Sequence, residues 1–132
     1  MTARISAAEY RAAPKKRNAE AQLHRAVATY LTLALPQTPV WTTFPAGGGG
    51  KARGGKLKAM GLRAGWPDIQ IIYQGRFVGI ELKAEKGHIS EAQCLTHAAI
   101  NMAGGDCYVC RSLDEVIASL EAACIGKRSK RA

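Results

Sequence analysis

Residues 65–83, GWPDIQIIYQGRFVGIELK, constrain this chain more than any other stretch. Asp68–Tyr73 is apolar and β-branched, and Arg76–Lys83 is a second run of strand type. Only Gln74 and Gly75 separate them, and a two-residue loop with a glycine predicts a tight hairpin. Such a loop sets the register. Tyr73 then faces Arg76, Ile72 faces Phe77, Ile71 faces Val78, and Asp68 faces Glu81. Facing residues leave the same side of the sheet with Cβ atoms about 4.5–5.5 Å apart. Glu81 and Lys83 are two apart and share that side, while Val78, Ile80 and Leu82 share the other. Register alone therefore gathers Asp68, Glu81 and Lys83.

Two carboxylates so close repel, so either one keeps its proton or a cation sits between them. Oxygen donors suit Mg²⁺ or Mn²⁺, which take one or two carboxylates plus water and phosphate oxygens. A lysine beside them suits the orientation of a water or the stabilisation of charge on a phosphate. The plainer alternative is a strand end whose Glu and Lys form a solvated pair.

Pro67-Asp68 followed by Glu81-Leu82-Lys83 has the form PD…ExK, which resembles the PD-(D/E)XK nuclease superfamily. Gly61…Gly65-Trp66-Pro67-Asp68, Ile80-Glu81-Leu82-Lys83 and Ser90-Glu91-Ala92-Gln93, in that order, resemble its VRR-NUC family. The likeness extends over about residues 18–122. It implies an α/β, restriction-endonuclease-like core, with a mixed β-sheet, a central hairpin and flanking helices. It implies a Mg²⁺- or Mn²⁺-dependent endonuclease acting on DNA. Asp68, Glu81, the Leu82 backbone carbonyl and Glu20 would be its metal ligands. Lys83 would position the attacking water, and Gln93 would stand at the edge of the site. A homodimer acting on branched DNA, or nicking duplexes, is implied in the same way, in the cytoplasm of a bacterial or phage-infected cell.

Charge is unevenly placed. The net is +9, yet residues 1–17, 51–63 and 125–132 carry +4, +5 and +4. The remainder, which holds the candidate site, is acidic. Basic segments around an acidic centre suit a polyanion. Lys51, Arg53, Lys56, Lys58 and Arg63 are the candidate nucleic-acid contacts, gripping phosphates rather than reading bases. No apolar run reaches membrane-spanning length and no secretory h-region follows the basic N-terminus, so a cytoplasmic setting without membrane contact is the default.

The chain predicts one domain over residues 18–123, between a flexible basic segment (1–17, with a short helix around Ser6–Arg11 as the alternative) and a basic tail (124–132). Asn18 caps a helix in which Leu23, Val27, Tyr30, Leu31 and Ala34 recur at helical spacing until Pro36. Glu20 begins its apolar stripe, where first-turn placement against the helix dipole is the bland explanation. His24, one turn on, is a flanking residue. Val40–Phe44 is a strand. Residues 46–65 predict a Gly-rich basic loop. Within it Gly50…Gly55-Lys56 nearly matches a phosphate loop, but Leu57 stands where Ser or Thr would hold Mg²⁺, so no nucleotide cofactor is expected. Ser90 and Gln93 form a capping box that opens a helix with Leu95, Ala98, Ala99 and Met102 as its packed face. Cys107–Arg111 is a strand. Ser112 and Glu115 form a second capping box.

Two further classes compete with the nuclease. A non-catalytic nucleic-acid-binding module would use the basic segments alone. A zinc module would use Cys94, His97, Cys107 and Cys110, but residues three apart on a strand point to opposite faces. Buried free cysteines are the simpler reading.

Overall fold

The computed structural model describes residues 16–44 and 50–126, with side chains from residue 19 in the first stretch and residue 54 in the second. The elements run α1 (Lys16–Ala34), β1 (Val40–Thr43), α2 (Gly50–Ala59), β2 (Ile69–Tyr73), β3 (Arg76–Leu82), α3 (Glu91–Met102), β4 (Asp106–Cys110) and α4 (Leu113–Ala122). The four strands form one mixed sheet in the order β1-β2-β3-β4. β1, β2 and β3 pair antiparallel, and β4 joins β3 in parallel. The fold is thus the α/β architecture with a central hairpin that the sequence predicts.

The hairpin register matches the expected one, with Tyr73 opposite Arg76, Ile72 opposite Phe77 and Ile71 opposite Val78. Gln74 and Gly75 both take positive φ, 50° and 75°, as a type I′ turn requires. One sheet face carries Ile69, Ile71, Val78, Ile80, Leu82 and Cys110 into the core. Val27, Leu31 and Leu35 from the α1 segment meet them there, with Val116 and Leu120 of α4. Alternation sends Gly79 and Glu81 to the opposite face, toward α3. β3 is buried from Val78 to Leu82, the signature of a central strand covered on both sides.

Several expectations change. The stretch 46–65 is not all loop: Gly50–Ala59 is helical, with Met60 and Leu62 amides donating back to Lys56 (3.1 Å) and Leu57 (2.9 Å). Gly61, at φ 102°, ends that helix. Its Ala, Lys, Arg and Leu residues favour helix enough to outweigh Gly54 and Gly55. On α3 the packed face is Thr96, His97 and Ile100, whereas Leu95 and Met102 are 63% and 89% exposed. The helix carries two overlapping stripes, and the one continuous with Gln93 meets the sheet. Ser112 caps α4, but Glu115 Oε2 accepts from the Arg111 amide rather than from Ser112, so this box is one-sided. The C-terminal tail starts later than 124, because the Ile125 amide closes on the Leu120 carbonyl at 3.0 Å and its side chain is buried.

Helix α1 begins two residues before Asn18. The alternative helix around Ser6–Arg11, most of the basic tail and the side chains of Lys51 and Arg53 lie outside the described residues.

Candidate active site

Asp68 stands immediately before β2 and is fixed from two sides. The Phe44 amide donates to its carbonyl at 2.8 Å, extending the β1–β2 ladder by one pair. The Leu82 amide donates to its Oδ2 at 2.8 Å. Pro67, before it, is fully buried against Gly79, where an added Cβ would lie 2.6 Å from the proline ring. The bare glycine on β3 therefore makes room for the Pro-Asp turn.

Glu81 is buried, its side chain 4% exposed. Its Oε1 accepts from Gln93 Nε2 at 2.7 Å and lies 3.8 Å from Lys83 Nζ. Its Oε2 is buried without a hydrogen-bond partner, and so is His97 Nε2, which lies 4.0 Å away. Lys83 follows β3, and its amide donates to the Cys110 carbonyl at 3.0 Å, one step past the parallel ladder. That bond holds the lysine at the end of the sheet.

Glu20 arrives from α1. Its Oε1 accepts from the Ala84 amide at 3.4 Å, and with His24, Asp68 and Leu82 it lines a cavity of about 250 Å³. His24 Nε2 lies 3.1 Å from Thr43 Oγ1 on β1. Helix α1 thus presents an acid and an imidazole to the open side of Asp68, while α3 supplies Gln93 and His97 to Glu81.

Electrostatics follow from burial. Loss of water raises the Glu81 carboxyl from 4.5 to about 8; the Asp68 charge adds to this and Lys83 opposes it. Asp68 is also raised, chiefly by burial, while the Leu82 amide and the charges of His24 and Lys83 pull it down. Burial lowers His97. Two neighbouring buried carboxyls, both raised, form a pair that holds its full negative charge only with a cation's help.

A hard cation fits that donor set. Asp68 and Glu81 offer oxygen alone, and Glu81 Oε2 is a buried acceptor without a donor. Among the described residues no three His, Cys, Asp or Glu side chains converge as a ready-made metal cage. An ion here would take two carboxylates and complete its shell with water, carbonyl and phosphate oxygens, as Mg²⁺ commonly does.

The structure thus brings together Asp68, Glu81, Lys83, Gln93 and Glu20. Lys56, Lys58 and Arg63 are exposed on α2 and the turn after it. Cys107 and Cys110 take opposite faces of β4: Cys107 lies beside Gly79, and Cys110 Sγ is 3.3 Å from Ser119 Oγ of α4.

Two residues take places that the sequence reading does not give them, His97 having entered it only as a zinc candidate. His97 faces Glu81 one turn beyond Gln93, and its spacing of four from that glutamine was the available signal. Arg111 Nη1 donates to the carbonyls of Ala84 (2.9 Å) and Gly87 (2.6 Å), clamping the loop after Lys83. Its partners are backbone carbonyls, which leave no mark in a sequence.

No family model and no curated protein matches the chain. Among solved structures, a VRR_NUC domain protein superposes with a TM-score of 0.67 at 20% identity. The match covers 82% of this chain and 90% of that one. The PD…ExK hairpin and its surrounding helices are therefore carried on the fold of a VRR_NUC domain protein.

Proposed function

We propose that this chain is a VRR-NUC-type, metal-dependent nuclease that hydrolyses phosphodiester bonds in DNA. One observation carries the reading: Glu81 is buried beside Asp68 with one oxygen lacking any donor, and Gln93 and Lys83 face the other. A module that only bound nucleic acid has no use for this arrangement, which costs stability as it stands. The fold shared with a VRR_NUC domain protein supports the same conclusion.

Asp68 and Glu81 would hold Mg²⁺ or Mn²⁺, with the Leu82 carbonyl as a further donor and Glu20 joining directly or through water. Bound there, such an ion would polarise the phosphate and make the attacking water more acidic. The Lys83 ammonium orients that water and offsets charge that builds on the phosphate oxygens. Gln93 holds Glu81 in one rotamer through its 2.7 Å bond. Exposed Lys56, Lys58 and Arg63, with Lys51 and Arg53, hold the backbone through phosphate contacts. We infer little sequence specificity, a preference for branched or nicked DNA, and action as a homodimer.

The test is cleavage of labelled four-way-junction, flap and linear duplex DNA with Mg²⁺ or Mn²⁺, comparing wild type with Lys83→Ala at equal binding by gel shift. Cutting by wild type, and binding without cutting by the variant, is expected. Binding without cutting by both proteins would leave a non-catalytic DNA-binding module.

A further inference from the structure

The half of the sheet that α3 does not cover carries a second concavity. It encloses about 440 Å³ between α2 and the sheet, with Phe44 and Trp66 as aromatic walls, Leu57 and Met60 on the helix side, and Arg63 and Gln70 at its edges. Trp66 is propped against Phe77, ring centroids 5.6 Å apart at 57°, so its orientation is set from behind.

Backbone geometry ties this groove to the carboxylates. Phe44 is paired with Asp68 by the 2.8 Å amide-to-carbonyl bond. Trp66 precedes Asp68 by two residues and packs on Phe77, while Gln70 follows Asp68 by two and pairs with Gly79; Phe77 and Gly79 alternate onto one sheet face. The groove's surroundings are basic. Lys56 and Lys58 are exposed on α2, Arg63 lines the mouth, and no acid occurs between residues 50 and 67.

An apolar protein segment would have to strip water from those cations without replacing it, whereas a nucleotide brings one phosphate with every base. Aromatic walls accept any base by stacking, and basic surroundings accept the strand that carries it. A base inside a duplex has both faces covered by its neighbours, so only an unstacked one enters. We propose that this groove holds one unstacked base of the DNA strand being cut, between Phe44 and Trp66, with its phosphates at Arg63 and α2. The identity of the polymer as DNA rests on the nuclease reading. The consequence is selectivity for strands with an unpaired nucleotide beside the scissile phosphate.

The experiment uses DNA with 2-aminopurine at an unpaired position next to a duplex end, bound by the full chain in EDTA so that no strand is cut. Its fluorescence is expected to fall on binding. Phe44→Leu, which keeps apolar bulk but removes the ring, abolishes that fall. It also weakens binding of unpaired-base DNA about tenfold more than binding of a fully paired duplex. Phe44→Tyr restores both. Met60 is 75% exposed, so Met60→Glu alters the mouth without disturbing the core, and it too should abolish the fall. Unchanged fluorescence on binding, or equal losses for paired and unpaired DNA, would overturn the proposal. Quenching without cleavage under any divalent ion sinks the nuclease reading and leaves the groove standing. Cleavage without quenching or preference sinks the groove alone.

Discussion

Gln93 is bonded in two directions at once. Its side-chain carbonyl accepts from the Ser90 amide at 2.9 Å, closing the capping box of α3, and its Nε2 donates to Glu81 Oε1 at 2.7 Å. Helix initiation and the placement of a buried carboxylate therefore depend on one amide group.

Gln93→Glu separates the two tasks. The acid still offers an oxygen to the Ser90 amide but brings a like charge to Glu81. Its melting temperature should stay near wild type when the pair is protonated, and its cleavage rate should fall at least tenfold. Gln93→Ala loses both contacts, with a cost of about 1 kcal/mol from the cap alone. Thermal melts and cleavage rates on the same samples check both.

Stability should decline with pH. With a folded-state value of about 8 against 4.5, Glu81 keeps a proton in the fold that the unfolded chain has already lost. Stability therefore falls as pH rises between these values, and Asp68, also raised, acts in the same direction. Glu81→Gln removes the Glu81 part of this slope. Melting temperatures of metal-free wild type and variant from about pH 5 to pH 8 should diverge, with wild type falling more steeply. Added Mg²⁺ should raise the wild-type melting temperature most at the upper end, where it no longer competes with a proton.

Gly65 is where the Pro-Asp turn passes the start of α3. It has φ 80°, and a Cβ there would lie 2.6 Å from the Gln93 nitrogen and collide with the Ala92 carbonyl. Gly65→Ala should cost about 2–4 kcal/mol from strain and overpacking together. Gly61→Ala also meets positive φ, but with open space around it, and should cost about 1–2 kcal/mol. Paired urea melts give the comparison.

Arg111 holds the loop that follows Lys83. Arg111→Lys keeps the charge but loses the planar, longer-reaching guanidinium whose Nη1 donates to both the Ala84 and Gly87 carbonyls. The Gly87 amide, now bonded to the Ala84 carbonyl at 2.9 Å, should exchange its hydrogen faster in the variant, and cleavage should fall. Unchanged exchange would mean the loop is held by other contacts.

The sequence by itself determined the hairpin. A two-residue turn admits one register, and period-two alternation then places Glu81 opposite the core-facing Val78, Ile80 and Leu82. It also marked the start of α3, because Ser90 and Gln93 act over three residues. These features are local, so neighbouring residues carry their whole cause. Tertiary structure decided the rest. The face that α3 buries could not be read from its apolar residues, because contact with Glu81 selected the stripe of Gln93 and His97 over that of Leu95 and Met102. Helix α2 formed through two glycines where composition suggested loop. The Arg111 clamp joins side chain to backbone across more than twenty residues, and the Phe44–Trp66 groove joins β1 to the Pro-Asp turn. Whether Glu81 carries a proton depends on how completely water is excluded from it, and exclusion is a property of the packed molecule rather than of any segment.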